Sequence, residues 1–390
     1  MITRTISKKL LELSTQYPVV AINGPRQSGK TTLVRHVFPD MKYMSLEDPD
    51  TREFAITDPR GFLSTCSEGA ILDEAQRSPD LFSYIQTIVD EKKEEGLFIL
   101  TGSFNFGLME GITQSLAGRT GLLTLLPFSC HELGTAGKVP SSLEALLYKG
   151  YYPRIYDKNL PPSEWYANYL TTYLERDVRV LKKIPDLDQF QKFIKMCAGR
   201  CGQLLNLSSL GNDCGITHNT AKAWLSVLRA SYVISTLQPH HKNFNKRLVK
   251  SPKLYFNDTG LLCYLLGISK AEDLKTHSLR GSIFESWVIL ELLKGRYNRG
   301  LKENLYFWRD NTGNEVDCII EQGNNLIPLE IKSGETISKD FFKGLRYWSK
   351  ISVTSPSEAY LIYGGDLSQK RSDGVVEGWK SFTEKLPLTI

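Results

Sequence analysis

Cysteine is scarce in this chain. Seven residues of 390, scattered and odd in number, do not make the dense, paired spacing of a disulfide framework. Cys197 and Cys201 stand four apart, with Cys214 downstream. No second pair at zinc-ribbon spacing follows them, so they read as buried thiols rather than a metal site. Long apolar runs are also missing: none approaches the ~18 residues of a membrane span. Near the start, Leu10-Leu11 is followed at once by Glu12, which leaves no apolar core for a signal peptide. The expected compartment is the reducing cytoplasm, with no membrane partner. Nor is there a strong excess of one charge. The formal net charge of +5 permits nucleic-acid contact through a local patch without predicting it. What remains is an ordinary globular composition, 41% hydrophobic and 23% charged, which argues against extensive disorder. The length gives room for two or three domains.

The most informative segment is Val19-Val20-Ala21-Ile22-Asn23-Gly24-Pro25-Arg26-Gln27-Ser28-Gly29-Lys30-Thr31-Thr32. An apolar strand runs into G-x-x-x-x-G-K-[ST], the spelling of a phosphate-binding loop in the context it requires. Gly24 and Gly29 allow the tight turn that points consecutive N–H groups at phosphate oxygens. Lys30 reaches the β- and γ-phosphates, and the Thr31 hydroxyl is placed to ligate Mg²⁺. Thr31 to Phe38 has helix-like composition and stops at Pro39, so its N-terminal dipole would face the pyrophosphate. ATP and Mg²⁺ are the expected ligands, held by residues 24–32 and Asp73.

About forty residues on, Ala70-Ile71-Leu72 leads into Asp73-Glu74-Ala75-Gln76, the acidic companion of such a loop. Asp73 would hold the Mg²⁺ shell, and Glu74 would orient and deprotonate the attacking water. Pro79 to Lys93 has an amphipathic helical pattern, with Leu81, Phe82, Ile85, Ile88 and Val89 on one side. The next strand, Leu97 to Ser103, puts its polar end at the carboxyl edge of a parallel sheet. Either Thr101 or Ser103 is then a γ-phosphate sensor, unless the serine only caps a turn. A further strand runs from Gly121 to Leu126. Strands alternating with helices imply a parallel sheet covered on both faces.

The loop, the Leu72-Asp73-Glu74-Ala75-Gln76 element, Thr101-Gly102-Ser103, and Leu116-Ala117-Gly118-Arg119 followed by Pro127-Phe128-Ser129 resemble the bacterial and archaeal AAA-type ATPases. They are most similar to a group known only as ATP-binding proteins with a C-terminal domain of unknown function. The resemblance runs from about Ile6 to about Gly334. It implies an ATPase whose site can be completed by an arginine of a neighbouring subunit, a contribution of about 10³–10⁵ in rate. Arg119 is the residue expected there, the alternative being an ordinary salt-bridged arginine. Self-association is expected with it.

Gly134 to Ser142 has the composition of a connection. Gly150-Tyr151-Tyr152-Pro153 and Tyr169 to Asp177 match the same family, although aromatics at helical spacing are usually core. Leu207 to Leu210 starts a short helix, Gly215-Ile216-Thr217 makes a turn with Thr217 as N-cap, and Ala221 to Leu228 forms a second helix. Two strands, Tyr232 to Leu237 and Lys253 to Phe256, flank a loop from His240 to Arg247. This order resembles a winged helix-turn-helix. Either His218, Asn219, Lys222 and the basic loop touch DNA, mostly through phosphates, or the segment is a packing module with a solvated loop. Trp224 is expected in its core.

Gly281 to Leu293 opens an apolar helix carrying Glu285. Leu305 to Trp308 and Gly313 to Ile320 are strands, a turn at Gly323-Asn324-Asn325 reverses the chain, and Pro328 to Lys332 returns. Glu330 and Lys332, two apart, share a face, and the hairpin can bring Asp317 alongside. Two carboxylates with a lysine beside them are what Mg²⁺-dependent phosphodiester cleavage requires, Asp317 and Glu330 as metal ligands and Lys332 on the water. The set is similar to the PD-(D/E)xK nuclease superfamily, with Glu285 matching its helix-borne acid, though Val316 stands where that superfamily has proline.

The expected architecture is α/β: an AAA-type P-loop domain over 1–135, a helical connection over 136–200, a winged-helix segment over 201–260 and a restriction-endonuclease-like domain over 261–390. The expected function is an ATP-binding and ATP-hydrolysing AAA-type protein acting on nucleic acid, DNA in the first instance, with a Mg²⁺-dependent nuclease-like C-terminal domain. The competing reading is a nucleotide-switched binding module whose nuclease-like fold is a docking surface. A small-molecule kinase would leave most of the chain without a role.

Overall fold

The computed structural model describes residues 2–103, 105–174, 187–241, 248–352 and 358–389. Two compact units are formed: Met1–Phe128 with Ala230–Tyr232 and Tyr297–Leu301, and Ser129–Arg229 with Val233–Arg296 and Lys302–Ile390. The fold is α/β, with a parallel-sheet N-terminal unit and a second sheet-rich region. Glu175, Arg176 and Asp177 of the family-matching run, and Lys242 to Arg247 of the basic loop, lie outside the described residues.

In the first unit, β1 (Val19–Asn23), β2 (Lys42–Ser45), β3 (Ala70–Asp73), β4 (Phe98–Gly102) and β5 (Thr120–Thr124) form one sheet in the order β2-β3-β4-β1-β5. Every pairing in it is parallel. Successive side chains leave a strand on opposite faces, and the core divides accordingly. Val19, Ala21, Ala70, Leu72, Phe98 and Leu100 join one cluster, with Phe62, Phe82 and Ile85. Val20, Ile22, Ile71 and Ile99 join another, with Ile6, Leu10 and Leu33. Apolar runs without alternation are therefore explained by helices on both faces. The register sets Asn23 level with Gly102 and Thr124, so the loop after β1 leaves from the same sheet edge as the polar end of β4.

In the second unit, the helix Leu207–Cys214 is capped by Asn206, whose side chain accepts from Ser209 N, and it ends at Gly215 in the left-handed region (φ 69°). Thr217 caps the next helix, His218–Ala230, by accepting from Thr220 N at 3.1 Å. Trp224 is buried, its ring edge-on to Phe190 and Phe193. An eight-stranded mixed sheet follows, in the order β12-β13-β11-β10-β9-β8-β6-β7. Its strands are β6 (Ile234–Pro239), β7 (Lys253–Phe256), β8 (Leu305–Arg309), β9 (Glu315–Gln322), β10 (Asn325–Lys332), β11 (Tyr360–Tyr363), β12 (Gln369–Arg371) and β13 (Gly374–Gly378). The β6–β7 hairpin is continuous with this sheet, because Gln238 and Pro239 pair in parallel with Tyr306 and Phe307. An unpaired strand edge is a liability: β8 pairs with β9 on one side, and β6 covers the other. The helix Arg280–Tyr297 is buried along most of its length, through Phe284, Trp287, Val288 and Leu290 among others, as an apolar helix with no polar stripe must be.

All seven cysteines are buried free thiols. Burial pushes the Cys130 and Cys201 thiols up to about 12, so they are protonated and inert at neutral pH. Among the described residues, no helix is long and apolar enough to cross a membrane.

Candidate functional sites

The loop after β1 is held from behind. Gly24 has φ +145°, and a Cβ there would lie 2.2 Å from the Leu125 carbonyl oxygen, so only glycine fits. Arg4, buried, donates from Nη1 to the Ser28 carbonyl (2.8 Å) and from Nη2 to the Leu126 carbonyl (2.7 Å), and its guanidinium lies over the Phe128 ring. Pro25 is buried, Gln27 has φ 63°, and Arg26 lies 3.8 Å from Glu47. Gly29 is the N-cap of the helix Lys30–Val37, on which Thr32 is exposed. Lys30 is buried, and its Nζ donates to the carbonyls of Gly24 (3.0 Å) and Pro25 (2.8 Å), folded back over its own loop. Ser28 Oγ is buried without a hydrogen-bond partner among the described residues. An orphaned hydroxyl is costly, and a phosphate oxygen on this loop would satisfy it. The residues present fit a nucleotide triphosphate.

Asp73 ends β3 beside Thr101, since Leu72 pairs with Leu100. Its carboxylate accepts from three hydroxyls: Thr31 Oγ1 (3.0 and 3.1 Å), Tyr43 OH (2.7 Å) and Thr101 Oγ1. Burial, and then the Asp73 carboxylate, push the Tyr43 hydroxyl up to about 12, so it remains a donor. Thr31 and Asp73 are thus together, as a shared Mg²⁺ shell requires. Glu74 sits at φ 57°, and its Oε2 accepts from Ser103 Oγ (2.9 Å) and from Gln76 Nε2. Both residues considered as phosphate sensors therefore hold an acid, Thr101 orienting Asp73 and Ser103 orienting Glu74. Arg119 forks onto Asp90 of the helix Leu81–Lys92 through Nε (2.6 Å) and Nη2 (2.7 Å). Within its own chain it is engaged, and serving a neighbour requires breaking that pair.

The second constellation lines a cleft of about 660 Å³. The β9–β10 hairpin pairs Leu329 with Cys318, so Glu330 and Asp317 follow as cross-strand neighbours. Asp317 Oδ2 accepts from Ile331 N (2.8 Å) and Lys332 Nζ (2.9 Å), and the same ammonium donates to Glu330 Oε2 at 2.6 Å. Asp317, Glu330 and Lys332 are therefore in direct contact. Glu285 lines the same cleft but is engaged elsewhere: its Oε1 accepts from Tyr255 OH (2.6 Å) and Lys253 Nζ (2.9 Å), both on β7. Lys253 also lies 2.5 Å from Glu315, which Arg309 approaches at 3.3 Å.

Burial raises the Glu330 carboxyl well above its usual range, and the neighbouring Asp317 charge adds to it. Burial likewise raises Glu285. Asp317 is held below the usual range despite its burial, because the ammonium groups of Lys332 and Lys253 face it. Asp317 is thus pushed toward its ionised form and Glu330 toward its protonated form, the opposite shifts expected of two close carboxylates in unequal contact with positive charge. Among the described residues, no three His, Cys, Asp or Glu are grouped to hold a metal. Mg²⁺ does not need such a cage, since it keeps several waters and takes one or two carboxylates. The Asp317–Glu330 pair fits that demand.

Sequence reasoning missed Arg4, Lys253, Tyr255 and Gly344. Lys253 and Tyr255 alternate with Leu254 and Phe256 along β7, and that period could have placed them on one face. Gly344, on the helix Lys343–Ile351, backs the cleft: a Cβ there would lie 1.6 Å from Glu330 Oε1 and 2.5 Å from the Glu315 carbonyl oxygen. Gly344→Ala is expected to displace the Glu330 carboxylate and to lower any activity of the cleft about 10²-fold, the scale of an ångström-sized misplacement. Plasmid nicking, read beside a thermal melt, checks this. His218, Asn219 and Lys222 are exposed on their helix.

Three family models match the chain: an AAA domain over residues 16–134, a domain of unknown function (DUF8612) over 140–272 and another (DUF4143) over 280–381. The uncharacterized proteins Rv2008c of Mycobacterium tuberculosis and Mb2031c of Mycobacterium bovis are each 32% identical over 365 residues, covering 92% of this chain and 79% of theirs. Among solved structures, it is similar to a Walker-type ATPase of Pyrococcus abyssi, with a TM-score of 0.40, 15% identity, and 68% of this chain and 96% of that one covered. It is also similar to AMPPCP-bound DnaA of Aquifex aeolicus, with a TM-score of 0.29, 13% identity, and 57% and 86% covered.

Proposed function

This chain belongs to the AAA-type P-loop ATPase family, and from that premise we propose that it couples ATP hydrolysis to the cleavage of nucleic acid, DNA in the first instance. At the first site, residues 24–31 cradle the triphosphate, and Thr31 and Asp73 would hold Mg²⁺, which supplies charge neutralisation on the phosphates when bound. Lys30 exchanges the carbonyls of Gly24 and Pro25 for phosphate oxygens. Glu74, oriented by Ser103, takes a proton from water as its oxygen bonds the γ-phosphorus and the bridging P–O bond breaks. Arg119 of a neighbouring copy, released from Asp90, is our assignment for the completing arginine.

At the second site, Asp317 and Glu330 would hold Mg²⁺, which polarises a phosphodiester and acidifies water when bound. Lys332 holds the attacking water and the scissile phosphate. The water oxygen bonds phosphorus, one P–O ester bond breaks, and the leaving sugar oxygen takes up a proton. His218, Asn219 and Lys222 contribute phosphate contacts. The single observation carrying this reading is the direct contact of Asp317, Glu330 and Lys332 inside one cleft.

The test is nucleic-acid binding and Mg²⁺-dependent nicking by the full chain with and without ATP. Binding through Lys and Arg is expected to weaken by roughly 0.9 log unit per phosphate contact for each decade of salt. If plasmid and single-stranded substrates stay intact and unbound at low salt in every nucleotide state, the chain is instead a nucleotide-switched docking module.

A further inference from the structure

Lys253 reaches the cleft from β7, not from the hairpin that carries the other acids. Its side chain is only 5% exposed, lying 2.9 Å from Glu285 and 2.5 Å from Glu315. Tyr255, two residues on, donates to the same Glu285 oxygen that Lys253 holds. The helix-borne acid is thereby supplied with both a charge partner and a neutral donor from one strand. We propose that the Lys253 ammonium is a built-in second cation: it fills the place against Glu285 that would otherwise draw a second divalent ion, so that the cleft takes one ion, at Asp317 and Glu330.

The inference rests on the reading of Asp317 and Glu330 as a cation site and deepens it. Two-metal sites place their ions about 3.5–4 Å apart and share acids between them. Here the acid that a second ion would need already gives one oxygen to both Lys253 and Tyr255, and Lys253 also lies against Glu315, so a second dication would have to displace an ammonium held by two carboxylates. Lys253 instead offers a permanent positive charge to a phosphodiester lying between the two halves of the cleft. Glu285 and Tyr255 become positioning residues for it.

The experiment counts bound Mn²⁺ by electron paramagnetic resonance on the nucleotide-free full chain carrying Asp73→Asn, so that the ATP site contributes no ion. One ion per chain is expected, and it should be lost in Asp317→Asn. Lys253→Ala should raise the count to two, whereas Lys253→Arg should keep it at one. Two ions on the chain with Lys253 intact, or a count still at one in folded Lys253→Ala, overturns the proposal. Because the count with Lys253 in place is decisive alone, a Lys253→Ala chain that fails to fold does not shelter it. No bound ion at all removes the Asp317–Glu330 cation site and this inference with it, an outcome distinct from finding two.

Discussion

Lys30→Ala is expected to lower ATP turnover about 10²–10³-fold, the cost of deleting one preorganised donor aimed at developing charge. The lysine is buried at the start of the helix Lys30–Val37, and its ammonium already lies within 3.0 Å of two loop carbonyls. Exchanging those carbonyls for phosphate oxygens needs a swing of the side chain, not a rebuilt loop. Alanine leaves the loop's backbone clamp untouched, because Gly24 is fixed against Leu125 and Arg4 still ties Ser28 to Leu126. The loss should therefore fall mainly on turnover rather than on folding. Phosphate release measured alongside a thermal melt distinguishes the two. Turnover within tenfold of the parent would remove Lys30 from the phosphate site.

The companion expectation concerns the cleft. Asp317→Asn keeps the side chain's shape and removes its charge, and Lys332→Met keeps the chain length and removes the ammonium. Each is expected to lower Mg²⁺-dependent nicking about 10²–10⁴-fold, the range for a positioned proton-handling group, while ATP turnover stays at the parent level. In Asp317→Asn, Lys332 retains Glu330 as a partner, so the fold survives and the readout is chemical. Lys332→Met leaves two neighbouring carboxylates without their shared cation, where burial and the Asp317 charge already raise the Glu330 carboxyl. Cleavage at the parental rate in both purified variants would sink the assignment. Normal cleavage in one alone would reassign that residue only.

How much could be read in the chain follows the distance over which its signals act. The phosphate loop is spelled within a few residues and flanked by its own strand and helix, so Gly24 to Thr32 could be placed without a structure. Asp73 and Glu74 were legible because their apolar strand ends in them. The β9–β10 hairpin was legible from its turn, and with it the contact of Asp317, Glu330 and Lys332. What was hidden depends on segments meeting from far apart. Arg4 reaches Leu126 across 122 residues, and no local pattern marks an N-terminal arginine as a clamp. Lys253 and Glu285 are separated by 32 residues and belong to elements that read separately as a hairpin and a helix. Gly344 looks like an ordinary helical glycine until the Glu330 carboxylate lies against it. The Arg119–Asp90 fork was equally invisible, because a surface arginine carries no signature of its partner.

The parallel join between β6 and β8 makes the C-terminal half unsuitable as a transplantable cassette. A fragment beginning at residue 261 would lack Lys253 and Tyr255 and would bare the outer margin of β8 to solvent. Fusion or truncation work should begin upstream of Gly202, whose amide hydrogen-bonds to Leu254, so that the severed boundary falls outside the sheet.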